Sequence, residues 1–191
     1  QIERAGDDGE FSDVSILVDG EVFRGHRVIL ARVPFFAAAF RGDFIERTGG
    51  KVELHDIDRE VFRVVWRALY SEDVDFLNSL CCMELLRGVV AAALRFDLRE
   101  LHRMADQRWA VLLSSELSAS TVAPLLIQAR RHMASAAQTS CLRFASDHGE
   151  EVLHAEAFRE EGPRDWRPDE DTYRVLVQAV MRKRPRLTTT G

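Results

Sequence analysis

Residues 11–74 read FSDVSILVDGEVFRGHRVILARVPFFAAAFRGDFIERTGGKVELHDIDREVFRVVWRALYSEDV, and this stretch decides the fold. Val14, Ile16 and Val18 alternate with Ser15 and Leu17, as in a half-buried strand. Asp19-Gly20 supplies the positive φ that a tight hairpin needs, and Val22-Phe23 resume the strand pattern beyond it. The apolar run that follows contains Pro34, which starts a helix because it lacks an N–H. A short helix is therefore expected near 28–32 and a second from 34 to about 40. Gly42, Gly49 and Gly50 break the chain into a loop, and KVELHD alternates as a third strand. Asp58 is placed to cap a helix whose apolar face carries Val61, Val65, Ala68 and Leu69.

Downstream, LLRGVVAAALRF and LRELHRMADQRWAVLL predict two more helices, broken near Phe96 and Asp97. Residues 11–113 thus form one α+β domain, a small three-stranded sheet with surrounding helices, behind a polar arm at 1–10. Beyond SSELSAS the pattern is purely helical. Thr121 is expected to cap VAPLLIQARRHM, and AAQTSCLRFASDH and EVLHAEAF follow, giving a helical extension over 114–158. Residues 159–191 read as a polar connector with Pro163 and Pro168, one further short helix, TYRVLVQAVMRK, and a basic tail.

The 191 residues suit one ordinary domain with a small helical appendage. No run approaches about 18 uninterrupted apolar residues, so no membrane-spanning helix is expected. The chain begins with Gln1 rather than Met, which leaves room for an upstream part. Net charge is −5, but with Arg182, Lys183, Arg184 and Arg186 set aside the body stands at −9. An acidic body argues against nucleic acid or an anionic membrane as the main partner. The basic cluster MRKRPR fits a short nuclear-import address or a merely solvated end. Only Lys51 and Lys183 are lysines among the 26 cationic side chains. A GC-rich coding sequence explains that bias; proximity to ubiquitin transfer, where acceptor lysines are a liability, is the functional alternative.

Cys81, Cys82 and Cys141 make no disulfide framework and no zinc spacing. They read as small buried hydrophobes in a reducing compartment, cytoplasm or nucleus. No GxGxxG or GxxxxGK[ST] loop bares backbone N–H groups to a phosphate, and HExxH and GxSxG are missing. His55, Asp56 and Asp58 fall at a strand end and a helix cap, where structural roles explain them. His132, His148 and His154 sit on amphipathic helices as surface or boundary residues. No enzyme, cofactor or metal is expected.

The quoted stretch resembles a BTB (POZ) domain. Asp13 opens the hairpin, Gly25-His26-Arg27 stands where the family has AHR or AHK, and VPFFAAAF occupies the helix written SP.F..mF. ALYSEDV stands where yiYtgev is usual, and AAALRFDLRELHRMADQRW continues the match. The departures are Val33 for Ser, Gly25 for Ala, and Ser71-Glu72 for Thr-Gly. The 114–158 helices resemble the start of a BACK domain or a shorter helical box.

The resemblance implies a non-catalytic protein-interaction module that dimerises and docks on a cullin-3 type ubiquitin-ligase scaffold. The cullin-binding subset carries a hydrophobic-x-Glu triplet before the third strand, and Phe44-Ile45-Glu46 stands there. Phe44 would fill an apolar pocket as an aromatic anchor, and Glu46 would add a charge-assisted hydrogen bond at the rim. Folding of Phe44 back onto its own core is the competing reading. Phe96 matches an aromatic position of the same surface, with core packing as the alternative. Asp13 and Arg27 correspond to a charged pair near the dimer interface, and the apolar helix starting at Val28 is the better dimer candidate. The reading that results is a substrate adaptor whose substrate is held by another region. The alternative is a dimerisation module of a transcriptional or scaffold protein without ligase function; a tetramerising channel-type relative fits the GHR step and helical extension less well.

Overall fold

A computed structural model describes residues 11–41, 50–71, 73–155 and 170–182. The hairpin forms from β1, Val14–Val18, and β2, Glu21–Gly25. Asp19 and Gly20 take φ values of 46° and 81°, so both central residues of the turn are left-handed, as a two-residue hairpin matching the strand twist requires. β1 pairs antiparallel with β2 and parallel with β3, Lys51–Leu54, giving the order β2-β1-β3. The parallel pairing needs a crossover, and α1, Arg27–Leu30, and α2, Pro34–Ala39, lie within it.

Val14, Ile16, Val18, Phe23, Val52 and Leu54 line the buried face of the sheet. α3, Arg59–Tyr70, starts at Asp58, whose Oδ1 accepts from the N–H groups of Glu60 at 2.7 Å and Val61 at 3.3 Å. Its buried residues are Val61, Phe62, Val65, Trp66 and Tyr70, while Ala68 and Leu69 are only half-buried. The core stripe is thus rotated toward the aromatic side of the helix, because Phe62 and Trp66 reach Phe23 on β2, with ring centroids 4.8 and 5.5 Å away. A single 3₁₀ turn, Asp75–Ser79, buries Leu77 before α4, Met83–Arg95. Here α3 and α4 approach closely: a Cβ on Gly88 would lie 2.5 Å from Val61 Cγ2.

The break after α4 is a left-handed Asp97, φ 55°, with Leu98 N–H donating to Ala93 O at 2.8 Å, the six-to-one bond of a Schellman stop. α5, Arg99–Leu113, follows. The chain divides into two compact units between Arg108 and Trp109, inside α5.

The second unit holds α6, Val122–Arg131, α7, Ser135–Asp147, α8, Gly149–His154, and α9, Glu170–Arg182. Leu126, Ala137, Cys141, Ala145, Val152 and Leu176 are fully buried in it. One expectation fails here. Thr121 precedes α6 but makes no capping bond; its hydroxyl donates to Glu116 O at 2.8 Å and accepts from Ser118 N–H at 2.8 Å, which ties up the loop instead. The last helix, α9, falls on the stretch expected to be helical, runs 13 residues and buries Leu176 and Val180.

Candidate functional site

The dimer-face candidates meet where β1 begins and α1 starts. Asp13 Oδ1 accepts from the backbone N–H of Arg27 at 2.7 Å. The two are therefore joined carboxylate to main chain, and the described residues show no ion pair between their side chains. Asp13 satisfies one of the free donors at the start of α1, a role a capping side chain usually fills. The Arg27 Nε is buried without a hydrogen-bond partner among the described residues. Val28 is 79% exposed, an isolated apolar side chain standing out from α1. Beside it runs a shallow groove of about 560 Å³, lined by Ile29, Arg32, Leu69, Val74 and Leu98 among others.

The GHR step is held by residues that sequence reasoning missed. His26 N–H donates to Tyr70 Oη at 2.9 Å, and the His26 Nδ1 lies 3.3 Å from the same hydroxyl. Burial pushes the Tyr70 phenol above its ordinary value, the His26 N–H partly offsets this, and the Asp13 charge pushes it further up. Tyr70 packs against Trp66 at a tilt of 37°, with centroids 4.9 Å apart, and both rings cover Gly25. A Cβ at Gly25 would sit 2.5 Å from Trp66 Cη2 and 2.8 Å from Tyr70 Oη. The Gly25 that departs from the family pattern is thereby explained: Trp66 occupies the space an alanine methyl would fill. Pairing a glycine with a tryptophan 41 positions later leaves no trace in local periodicity.

Phe96 is placed in the core. It is fully buried, stacked on Phe36 at 5.4 Å and 20°, with Phe35 edge-on at 5.1 Å. A side chain with no exposed surface offers nothing to a docking partner, so the assignment of Phe96 as a contact residue is corrected to a supporting one. The half-buried Phe35 stands in front of it, and the Arg95 guanidinium lies 5.5 Å from the Phe35 ring. Phe44, Ile45 and Glu46 lie outside the described residues, in the segment between α2 and β3.

Cys81 and Cys82 are exposed, not buried as expected, because they lie in the extended connection leading into α4. Cys141 is buried, and burial pushes its thiol up to about 12, which leaves it inert at neutral pH. Among the described residues no cluster of three or more His, Cys, Asp or Glu side chains could hold a metal, and no helix is long and apolar enough to cross a membrane.

The described residues thus build a small mixed sheet with α1 and α2 in its crossover and the hairpin tied to α1 through Asp13. The BTB/POZ domain family model matches residues 3–109, and the chain belongs to that family. It is 35% identical over 145 residues to mouse TD and POZ domain-containing protein 4, covering 74% of this chain and 37% of that protein. It is 31% identical over 168 residues to mouse TD and POZ domain-containing protein 5, covering 87% and 45% respectively. The chain thus spans less than half the length of these curated relatives. Among solved structures, the BTB domain of zebrafish PATZ1 aligns over 55% of this chain and 80% of its own, with 24% identity and a TM-score of 0.44.

Proposed function

We propose that this chain is the scaffold-binding part of a substrate adaptor for a cullin-3 type ubiquitin ligase, working as a homodimer in the cytoplasm or nucleus. In this reading it acts by placement and not by chemistry. The observation that carries the reading is Phe44-Ile45-Glu46, a hydrophobic-x-Glu triplet between α2 and β3 of a BTB domain. An aromatic anchor followed by a rim carboxylate suits an apolar pocket on a helical partner. Exposed Val28 on α1, beside the groove at Ile29 and Leu69, supports self-association through that helix. Two copies would raise the effective concentration of a substrate-binding region carried elsewhere in the protein.

Calorimetric titration of the chain with the N-terminal domain of cullin-3 tests this, beside a Phe44→Ala, Glu46→Ala double variant. Binding that the double variant loses is the expected result. Binding that the variant keeps refutes the triplet as the anchor. No binding by a folded chain leaves a BTB interaction module that serves a transcriptional or scaffold protein.

A further inference from the structure

The sheet has a second face, pointing away from the core. The register places Ser15 between Arg24 on β2 and Lys51 on β3, and Leu17 between Val22 and Glu53. The face is therefore two rows deep. One row runs Arg24-Ser15-Lys51, the other Val22-Leu17-Glu53. Arg24, Lys51, Val22 and Glu53 are exposed, and Ser15 and Leu17 are half-buried. The side chains of Arg24 and Lys51 have no ion-pair or hydrogen-bond partner among the described residues. Glu53 sits 3.6 Å from His55 Nδ1. In a chain of net charge −5, this cationic row is not part of a generally basic surface.

We propose that this face docks an extended acidic segment of a partner protein, with a carboxylate over Ser15 and an apolar side chain on Leu17 and Val22. Charge complementarity identifies the occupant. Strands lie about 4.8 Å apart, so Arg24 and Lys51 are rooted roughly 10 Å from each other across Ser15. Both are long enough to bend over the small serine and converge on one carboxylate, and the serine hydroxyl adds a donor beneath it. Along the strands the rows are two residues apart, about 6.7 Å, which is also the spacing of same-face side chains in an extended partner. An acidic residue followed two positions later by an apolar one fits both rows at once. Glu53 repels a carboxylate in the second row and so sets the direction of the segment. The proposal uses none of Phe44, Ile45 and Glu46 and does not depend on the scaffold reading.

The probe is a fluorescein-labelled peptide, Glu-Ser-Leu-Ser-Glu-Ser-Leu-Ser, titrated by anisotropy against the full chain at low salt. The same peptide with lysine in place of glutamate is the control. Saturable binding is expected, weakened about tenfold by Arg24→Ser with Lys51→Ser, as befits the loss of charge-assisted contacts. The exchange Arg24→Lys with Lys51→Arg keeps both charges and should retain it, and Val22→Ser should weaken it. Circular dichroism confirms that each variant is folded. Equal binding by the double serine variant, equal binding of the lysine peptide, or no saturable binding overturns the proposal. Inorganic phosphate matching the peptide in a competition at equal concentration also overturns it, by showing a bare anion site.

Discussion

Substituting Gly25 by alanine puts the glycine-tryptophan pairing to the test. The added methyl would lie 2.5 Å from Trp66 Cη2, 3.1 Å from Trp66 Cζ2 and 2.8 Å from Tyr70 Oη. Favourable carbon–carbon contact begins near 3.5 Å, so the tryptophan ring must retreat by about 1 Å. It has little freedom to do so. Trp66 is 7% exposed and Tyr70 5%, with Phe23 and Phe62 within 5.5 and 5.8 Å of the indole. Overpacking of this kind costs about 1–3 kcal/mol. Alanine returns about 0.4–1 kcal/mol by stiffening the unfolded chain, since Gly25 does not need a positive φ. If Tyr70 is displaced, the His26 N–H loses its acceptor, at about 1 kcal/mol more. The net expectation is a loss of about 1–2 kcal/mol, read as a lower urea midpoint by circular dichroism. Trp66→Leu in the Gly25→Ala background removes the clashing atoms, so a double-mutant cycle should show favourable coupling between the two changes. A Gly25→Ala protein as stable as the parent, or coupling near zero, would refute the argument that Trp66 dictates the glycine.

Two further predictions concern backbone strain and alkaline pH. Met133 is 66% exposed, adopts φ 53° and ends α6 in a Schellman stop, with Ala134 N–H donating to Ala129 O at 2.8 Å. Met133→Gly should raise stability by about 0.5–1 kcal/mol, the left-handed penalty less the entropy glycine adds to the unfolded chain, and a lower melting temperature would contradict it. The Tyr70 phenol is raised in the folded state, so its share of stability is complete below the ordinary tyrosine value and lost as pH climbs through the raised one. Stability should therefore fall with rising pH in that alkaline range, and Tyr70→Phe, though weaker at neutral pH for want of the acceptor, should show a shallower fall.

The elements were legible because each rests on a local signal. Asp19-Gly20 could only be a left-handed turn, Pro34 could only start a helix, and Asp58 caps α3 as its residue type dictates. What escaped depended on distant partners. Periodicity put Val61 and Val65 on the inner face of α3 but could not weigh Phe62, Trp66 and Tyr70 against Ala68 and Leu69, since that choice is made by Phe23 and His26 on another element. Thr121 has the residue type of a cap, yet its hydroxyl is captured by Glu116 and Ser118, a competition among neighbours that residue preference does not resolve. Cys81 and Cys82 were misjudged because burial was inferred from residue type, while the 3₁₀ turn that precedes them went unread.

The candidate site divides along the same line. Motif order locates Phe44-Ile45-Glu46 and Phe96 alike, but it conveys position in the chain and not depth. Phe96 lies at a helix stop, where Asp97 turns left-handed, and its ring packs inward on Phe36. Phe96→Ala would thus test the hydrophobic core and not a docking contact, because it empties a fully buried site and lowers stability whether or not a partner binds. The functional test is therefore carried by Phe44 and Glu46, which the motif singles out, with circular dichroism on the double variant separating loss of recognition from loss of folding.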